Sequence, residues 1–211
     1  MIMNTSNTKK RYEIIRLVSS SKNNDEIYVM LLYFNAFIDE PTRFIMDIRS
    51  IEAKVNLQIV NTDNIVGKEH IIEIIKQSIE ARRRGILLAD KIEIDMILRL
   101  ACVDQIAKAI EILGLKHGKN SAIIIALGSY DMLVQLGDRL ITIIDSINST
   151  SSNIAHNYYN DSNDDASRYE HILKLHRIDR DELYSCILAH DNSIKEAIVS
   201  ILAERANLLY R

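Results

Sequence analysis

Along the chain, short β-rich runs are interleaved with stretches whose apolar positions recur every three to four residues. Tyr12–Val18 and Ile27–Phe34 flank the turn-forming stretch Ser19–Asp25, which predicts a hairpin or a meander. Pro41 sits where a helix start tolerates a missing N–H, and Phe44, Ile45, Ile48 and Ile51 follow at helical spacing. Val55–Val60 reads as another strand. Next comes the clearest helix. Ile71, Ile72, Ile74, Ile75 and Ile79 form its apolar stripe, with Lys68, Glu69, Glu73, Lys76 and Glu80 opposite. Gly85 stops it directly after three arginines, which suits a helix C-terminus by conformation and by dipole.

Ile92–Leu100 and Gln105–Leu113 predict two short helices, the second stopped by Gly114. Ala122–Leu127 is wholly apolar and is read as a central strand, and Asp131–Asn148 returns to helical periodicity. The Ser/Asn/Asp-rich segment 146–167 is read as a mobile surface loop, and His171–Leu175 as an edge strand. Asp179–Ala189 and Ser193–Leu209 are predicted helices, each opened by an N-cap residue. There is no internal repeat and no βαβ rhythm. The expectation is one α+β domain over residues 1–211, with a single mixed or mostly antiparallel sheet flanked by helices.

Composition narrows the function classes. The chain is isoleucine-rich, with a single proline and no tryptophan, and carries 26 basic against 29 acidic residues, a formal charge of −3. That balance argues against wrapping duplex DNA but allows a local basic patch. Cys102 and Cys186 lie in apolar, helix-like contexts and are read as reduced core thiols. No apolar run is of membrane-spanning length and no hydrophobic signal region opens the chain, so a cytoplasmic protein without a membrane partner is expected.

The catalytic inventory is thin. There is no Walker A pattern, dinucleotide fingerprint, Cys-x-x-Cys, His-Glu-x-x-His or Gly-x-Ser-x-Gly elbow. His171 and His176, five apart, share no helix face and are read as solvated rather than metal-binding. Asp164 and Asp165 lie in the polar segment and are read as solubilising. No catalytic residue, metal or cofactor is expected, although triads built from distant positions leave a stand-alone small-molecule enzyme open.

The ordered spacing from Leu57 to Ile125 carries a resemblance. Gln58–Asn61 forms a Gln-Ile-apolar-Asn strand, and Lys68 with His70 opens the amphipathic helix. Gly85 stands ten residues ahead of Asp95, and Gln105, Ile106, Ala109, Ile110 and Gly114 complete a Gln-Ile-x-x-Ala-Ile-x-x-x-Gly pattern. The terminal Ile201, Leu202, Ala203, Glu204, Arg205 and Leu208 fit the same scheme. Over roughly residues 12–145 and 169–211, the chain resembles the PRPK-binding accessory-subunit family of the KEOPS complex. It departs at Ala101–Cys102–Val103–Asp104, where many relatives carry Ser-Gly-x-Arg, and at Ala89–Asp90–Lys91, where they are Ser-rich.

The resemblance implies a non-catalytic subunit that docks on the kinase-like ATPase of KEOPS and grips the 3′ CCA end of tRNA. The assembly installs threonylcarbamoyladenosine. Two surfaces follow from it. Arg82, Arg83 and Arg84, with Lys68 and Lys91, are candidate RNA contacts, because forked guanidinium donors suit phosphate. Gln105 is a helix cap or a nucleotide contact. The C-terminal helix, through Ile201, Leu208 and Leu209 and joined by Asp95 and Arg99, is the candidate kinase-docking surface. Asp104, standing where relatives carry arginine, keeps open a divergent paralogue that binds the protein partner but not RNA.

Overall fold

The structure, a computed structural model, describes residues 11–17, 26–150, 166–190 and 193–209. Strands β1 (Tyr12–Leu17), β2 (Ile27–Ile38), β3 (Asn56–Asn61) and β4 (Gly118–Gly128) form one sheet in the order β1-β2-β4-β3. Every pairing is antiparallel, so the sheet is not mixed. β1 and β2 pair with Leu17 opposite Ile27, as a hairpin requires. The connecting stretch 19–25 lies outside the described residues. Helices α1 (Pro41–Ser50), α2 (Lys68–Arg84), α3 (Ile92–Leu100), α4 (Ile106–Leu113), α5 (Tyr130–Thr150), α6 (Ala166–Leu175), α7 (Arg180–His190) and α8 (Ile194–Asn207) complete the α+β fold.

Successive side chains of a strand point to opposite faces, and here both faces are covered. Val29, Leu31, Ile123 and Ile125 pack on one side with Ile71, Ile74 and Ile75 of α2 and with Met96 and Leu100 of α3. Met30, Leu32, Ile124 and Ala126 pack on the other with Leu133, Leu136 and Leu140 of α5 and Ile48 of α1. A strand buried on both faces has no polar position to alternate with, which is why the run in β4 is continuously apolar. A third cluster joins α6, α7 and α8 through Ile172, Leu183, Ala197, Ile198 and Leu202. It leans on the body of the protein through α2 and α3.

Several expectations change. Residues 171–175 are helical, not an edge strand: Ile172 is buried, and Tyr169 and Leu173 pack in the same cluster, Tyr169 one helical turn away. Residues 146–150 continue α5 rather than opening a loop. Ile147 packs on the core there, and the Asn148 side-chain amide donates to the Asn35 carbonyl at 3.0 Å. Residues 166–167 begin α6, and residues 151–165 lie outside the described residues. Gly114 does stop α4, but in extended backbone, φ −70° and ψ 153°. A Cβ there would meet the Ile110 carbonyl oxygen at 2.4 Å, so close approach rather than handedness demands glycine. Among the described residues, no helix is long and apolar enough to cross a membrane.

Candidate functional site

The arginine end of α2 is shaped by its stop. Gly85 takes the left-handed conformation, φ 71°, and its N–H closes the helix onto the Ala81 and Arg82 carbonyls. The last turn therefore presents Arg82, Arg83 and Arg84 to solvent, at the end where the helix dipole favours cations. Two of the three are already engaged. Arg83 donates Nε and Nη2 to the two Glu80 oxygens at 2.7 and 2.6 Å, and Arg84 donates Nε to Glu80 Oε1 at 2.6 Å. Those bonds hold the Glu80 carboxyl down at about 2. Arg82 has no ion-pair partner among the described residues.

The other predicted RNA contacts do not all gather here. Lys68 opens α2, roughly 25 Å along the helix from Arg84 at 1.5 Å per residue. There it pairs with Glu13 of β1 at 2.8 Å, so it cannot share the arginine patch. Lys91 is exposed at the N-cap of α3, where its carbonyl accepts from the Asp95 N–H. Gln105 holds the N-cap position of α4, but its exposed side chain makes no capping bond.

Asp95 and Arg99, predicted for the docking surface, are both buried. Asp95 is fully buried and Arg99 is 4 % exposed. Asp95 Oδ1 accepts from the Leu88 N–H at 2.7 Å and Oδ2 from Arg99 Nε at 2.8 Å. Arg99 Nη1 then donates to the Ala206 carbonyl at 2.8 Å, and Gln77 Nε2 to the Ala203 carbonyl at 3.0 Å. These bonds fix the end of α8 against α2 and α3. Ile201 is buried in the cluster of α6–α8, whereas Leu208 stands 58 % exposed.

Between the end of α2 and the end of α8 lies a cleft of about 820 Å³. Glu73, Lys76, Glu80 and Arg84 form one wall, Ile86 and Leu87 continue it, and Arg99, Asn207 and Leu209 close the other side. Ile86, 59 % exposed, adds apolar surface. The two predicted surfaces thus meet: Arg84 from one and Arg99 and Leu209 from the other line a single cleft. Glu80, Ile86 and Asn207 join the site without having been predicted from the sequence. For Glu80 a signal exists, since it precedes Arg83 and Arg84 by three and four residues.

The departing stretch has a backbone consequence. Cys102, within the stretch Ala101–Asp104 that departs from the resemblance, adopts φ 52°, in the left-handed region that favours glycine. Its thiol approaches the Arg99 and Leu202 carbonyls, and burial pushes it up to about 12, which leaves it protonated and inert. Asp104 is exposed.

The histidines also differ from expectation. His171 is exposed and bonds the Asn64 side chain, but His176 is largely buried, not solvated. Its electrostatic neighbour is His70, fully buried in α2, whose two ring nitrogens have no hydrogen-bond partner among the described residues. Burial holds His70 down at about 3 and His176 at about 4. Among the described residues, no three His, Cys, Asp or Glu side chains are placed to hold a metal ion.

No curated protein matches the chain. The family model of the kinase binding protein CGI-121 matches residues 38–206, from the end of β2 to the last turns of α8. By that match over most of its length, the chain belongs to the CGI-121 family of kinase-binding proteins.

Proposed function

We propose that this protein is the small accessory subunit of a KEOPS-type tRNA-modifying assembly in the cytoplasm. It docks on a kinase-like ATPase and holds the 3′ CCA end of tRNA, while its partners carry the chemistry. The observation that carries the reading is membership of a kinase-binding family, joined to one cleft where apolar and guanidinium groups meet. Leu208 and Ile86 offer exposed apolar surface for the kinase, and Arg82–Arg84 offer forked donors for an unpaired, charged RNA end.

Paired Leu208→Asp and Ile86→Asp substitutions test the docking surface. Loss of co-purification with the kinase, in a chain of unchanged thermal stability, is expected. Retained binding moves the interface elsewhere. Replacing Arg82, Arg83 and Arg84 with alanine should weaken tRNA binding and flatten its salt dependence, and unchanged affinity makes the arginines structural.

A second reading, a paralogue that keeps the kinase but not RNA, is favoured by exposed Asp104 and by the neutralisation of Arg83 and Arg84. Titrating CCA-ended tRNA against trimmed tRNA separates the two: equal weak binding selects the paralogue.

A further inference from the structure

The carboxylate of Glu80 receives three short hydrogen bonds from two guanidinium groups, two of them from the Arg83 fork. A phosphate oxygen pair would seek the same geometry on the same donors. All three side chains are substantially exposed, so solvent screens the pairs and either arginine can change partners. We propose that Glu80 is a built-in competitor for phosphate, so that the arginine end of α2 accepts an RNA strand with adjacent phosphates and refuses a single phosphate monoester. This rests on the RNA contact proposed above and adds a selectivity to it.

The selectivity comes from exchange. A lone phosphate that displaces Glu80 regains little more than the carboxylate gives up, and it leaves that carboxylate nearby and repulsive. A strand brings further phosphates for which Glu80 does not compete. Arg82 can take a neighbouring phosphate, and the whole strand releases its counterions. Glu80 also lines the cleft with Arg84, which places the competitor beside the proposed kinase-docking surface.

The test measures binding of a labelled, CCA-ended single-stranded RNA by fluorescence anisotropy across a salt series. The chains are wild type, Glu80→Gln, Arg83→Ala/Arg84→Ala, and all three substitutions together. Glu80→Gln should tighten binding severalfold at low salt and steepen the log–log salt slope by about 0.7 for each additional phosphate neutralised on a single strand. Cytidine monophosphate should compete with the RNA on Glu80→Gln but not on wild type. In the absence of both arginines, Glu80→Gln should change nothing.

Binding lost with the arginines but indifferent to Glu80→Gln overturns the competitor role and leaves the RNA patch standing. Equal tightening with and without the arginines overturns it too, by reducing Glu80 to a general charge effect. RNA binding insensitive to loss of both arginines removes the patch itself, and the role of Glu80 with it. Matched thermal unfolding of the variants confirms that affinity, not folding, is read.

Discussion

The sheet and the seam between α2 and the α6–α8 unit are both buried, yet they are held by different forces. Across the sheet, Val29, Met30, Ile123, Ile124 and Ile125 are fully enclosed and apolar, and stability there is a matter of area and close packing. Along the seam, the buried set includes His70, Asp95 and Arg99, with the half-buried Cys102 thiol and the Arg205–Glu182 pair at 2.7 Å beside it. Polar burial of that kind is directional and depends on protonation. The cleft opens at the seam, so the region proposed to face partners is also the one that a change of protonation can loosen.

The sharpest way to break this contrast is to orphan a charge. Asp95→Ala leaves the Arg99 guanidinium buried without its carboxylate, with an expected cost of about 3–5 kcal/mol in urea denaturation. Hydrogen exchange should show protection lost first in α8, whose Ala206 carbonyl Arg99 holds. A uniform loss over sheet and helices instead would show the two regions to be one cooperative unit. Ile124→Ala in β4 should cost about 2–4 kcal/mol through the cavity it leaves, with the same value at neutral and mildly acid pH.

Acid separates the regions next. Burial depresses the folded-state values of His70 and His176 to about 3 and about 4, below the ordinary 6.5. Between these values the unfolded chain binds more protons. The stability these groups contribute is therefore full above pH 6.5 and is lost as pH falls toward 4. For each histidine the expected loss is roughly 2 kcal/mol by about pH 5. His70→Leu should flatten the slope of stability against pH between about 6.5 and about 5. An unchanged slope assigns the acid sensitivity to other groups. The smallest effect is expected at Cys102→Gly, within about 1 kcal/mol of wild type, because relief of the left-handed backbone opposes the loss of a packed thiol. A larger loss in chemical denaturation would mean that packing dominates there.

Much of the apolar framework is legible in the sequence. The continuous run in β4 and the stripe of α2 are consequences of burial on two faces and on one, and each leaves its period in the chain. Residues 171–175 mislead because a short segment such as His-Ile-Leu-Lys-Leu fits two periods about equally, and only the neighbours of Ile172 decide. Lys68 and the arginines share a helix, which invites grouping them, although they stand at opposite ends of it. The i, i+4 spacing of Asp95 and Arg99 is readable as a pair, but not its depth. The approach of His70 to His176 joins residues from distant elements and has no local signature.

The strand order has a consequence for biosynthesis. Among the described residues, β3 pairs in the sheet with β4 alone, and β4 also completes the inner edge of β2. Until the ribosome has delivered residues 118–128, the N-terminal hairpin and β3 wait with unpaired edges, while the four helices α1 to α4 form locally. Chains stalled ahead of that point should be the ones that recruit chaperones, and release past it should let the sheet close in one step.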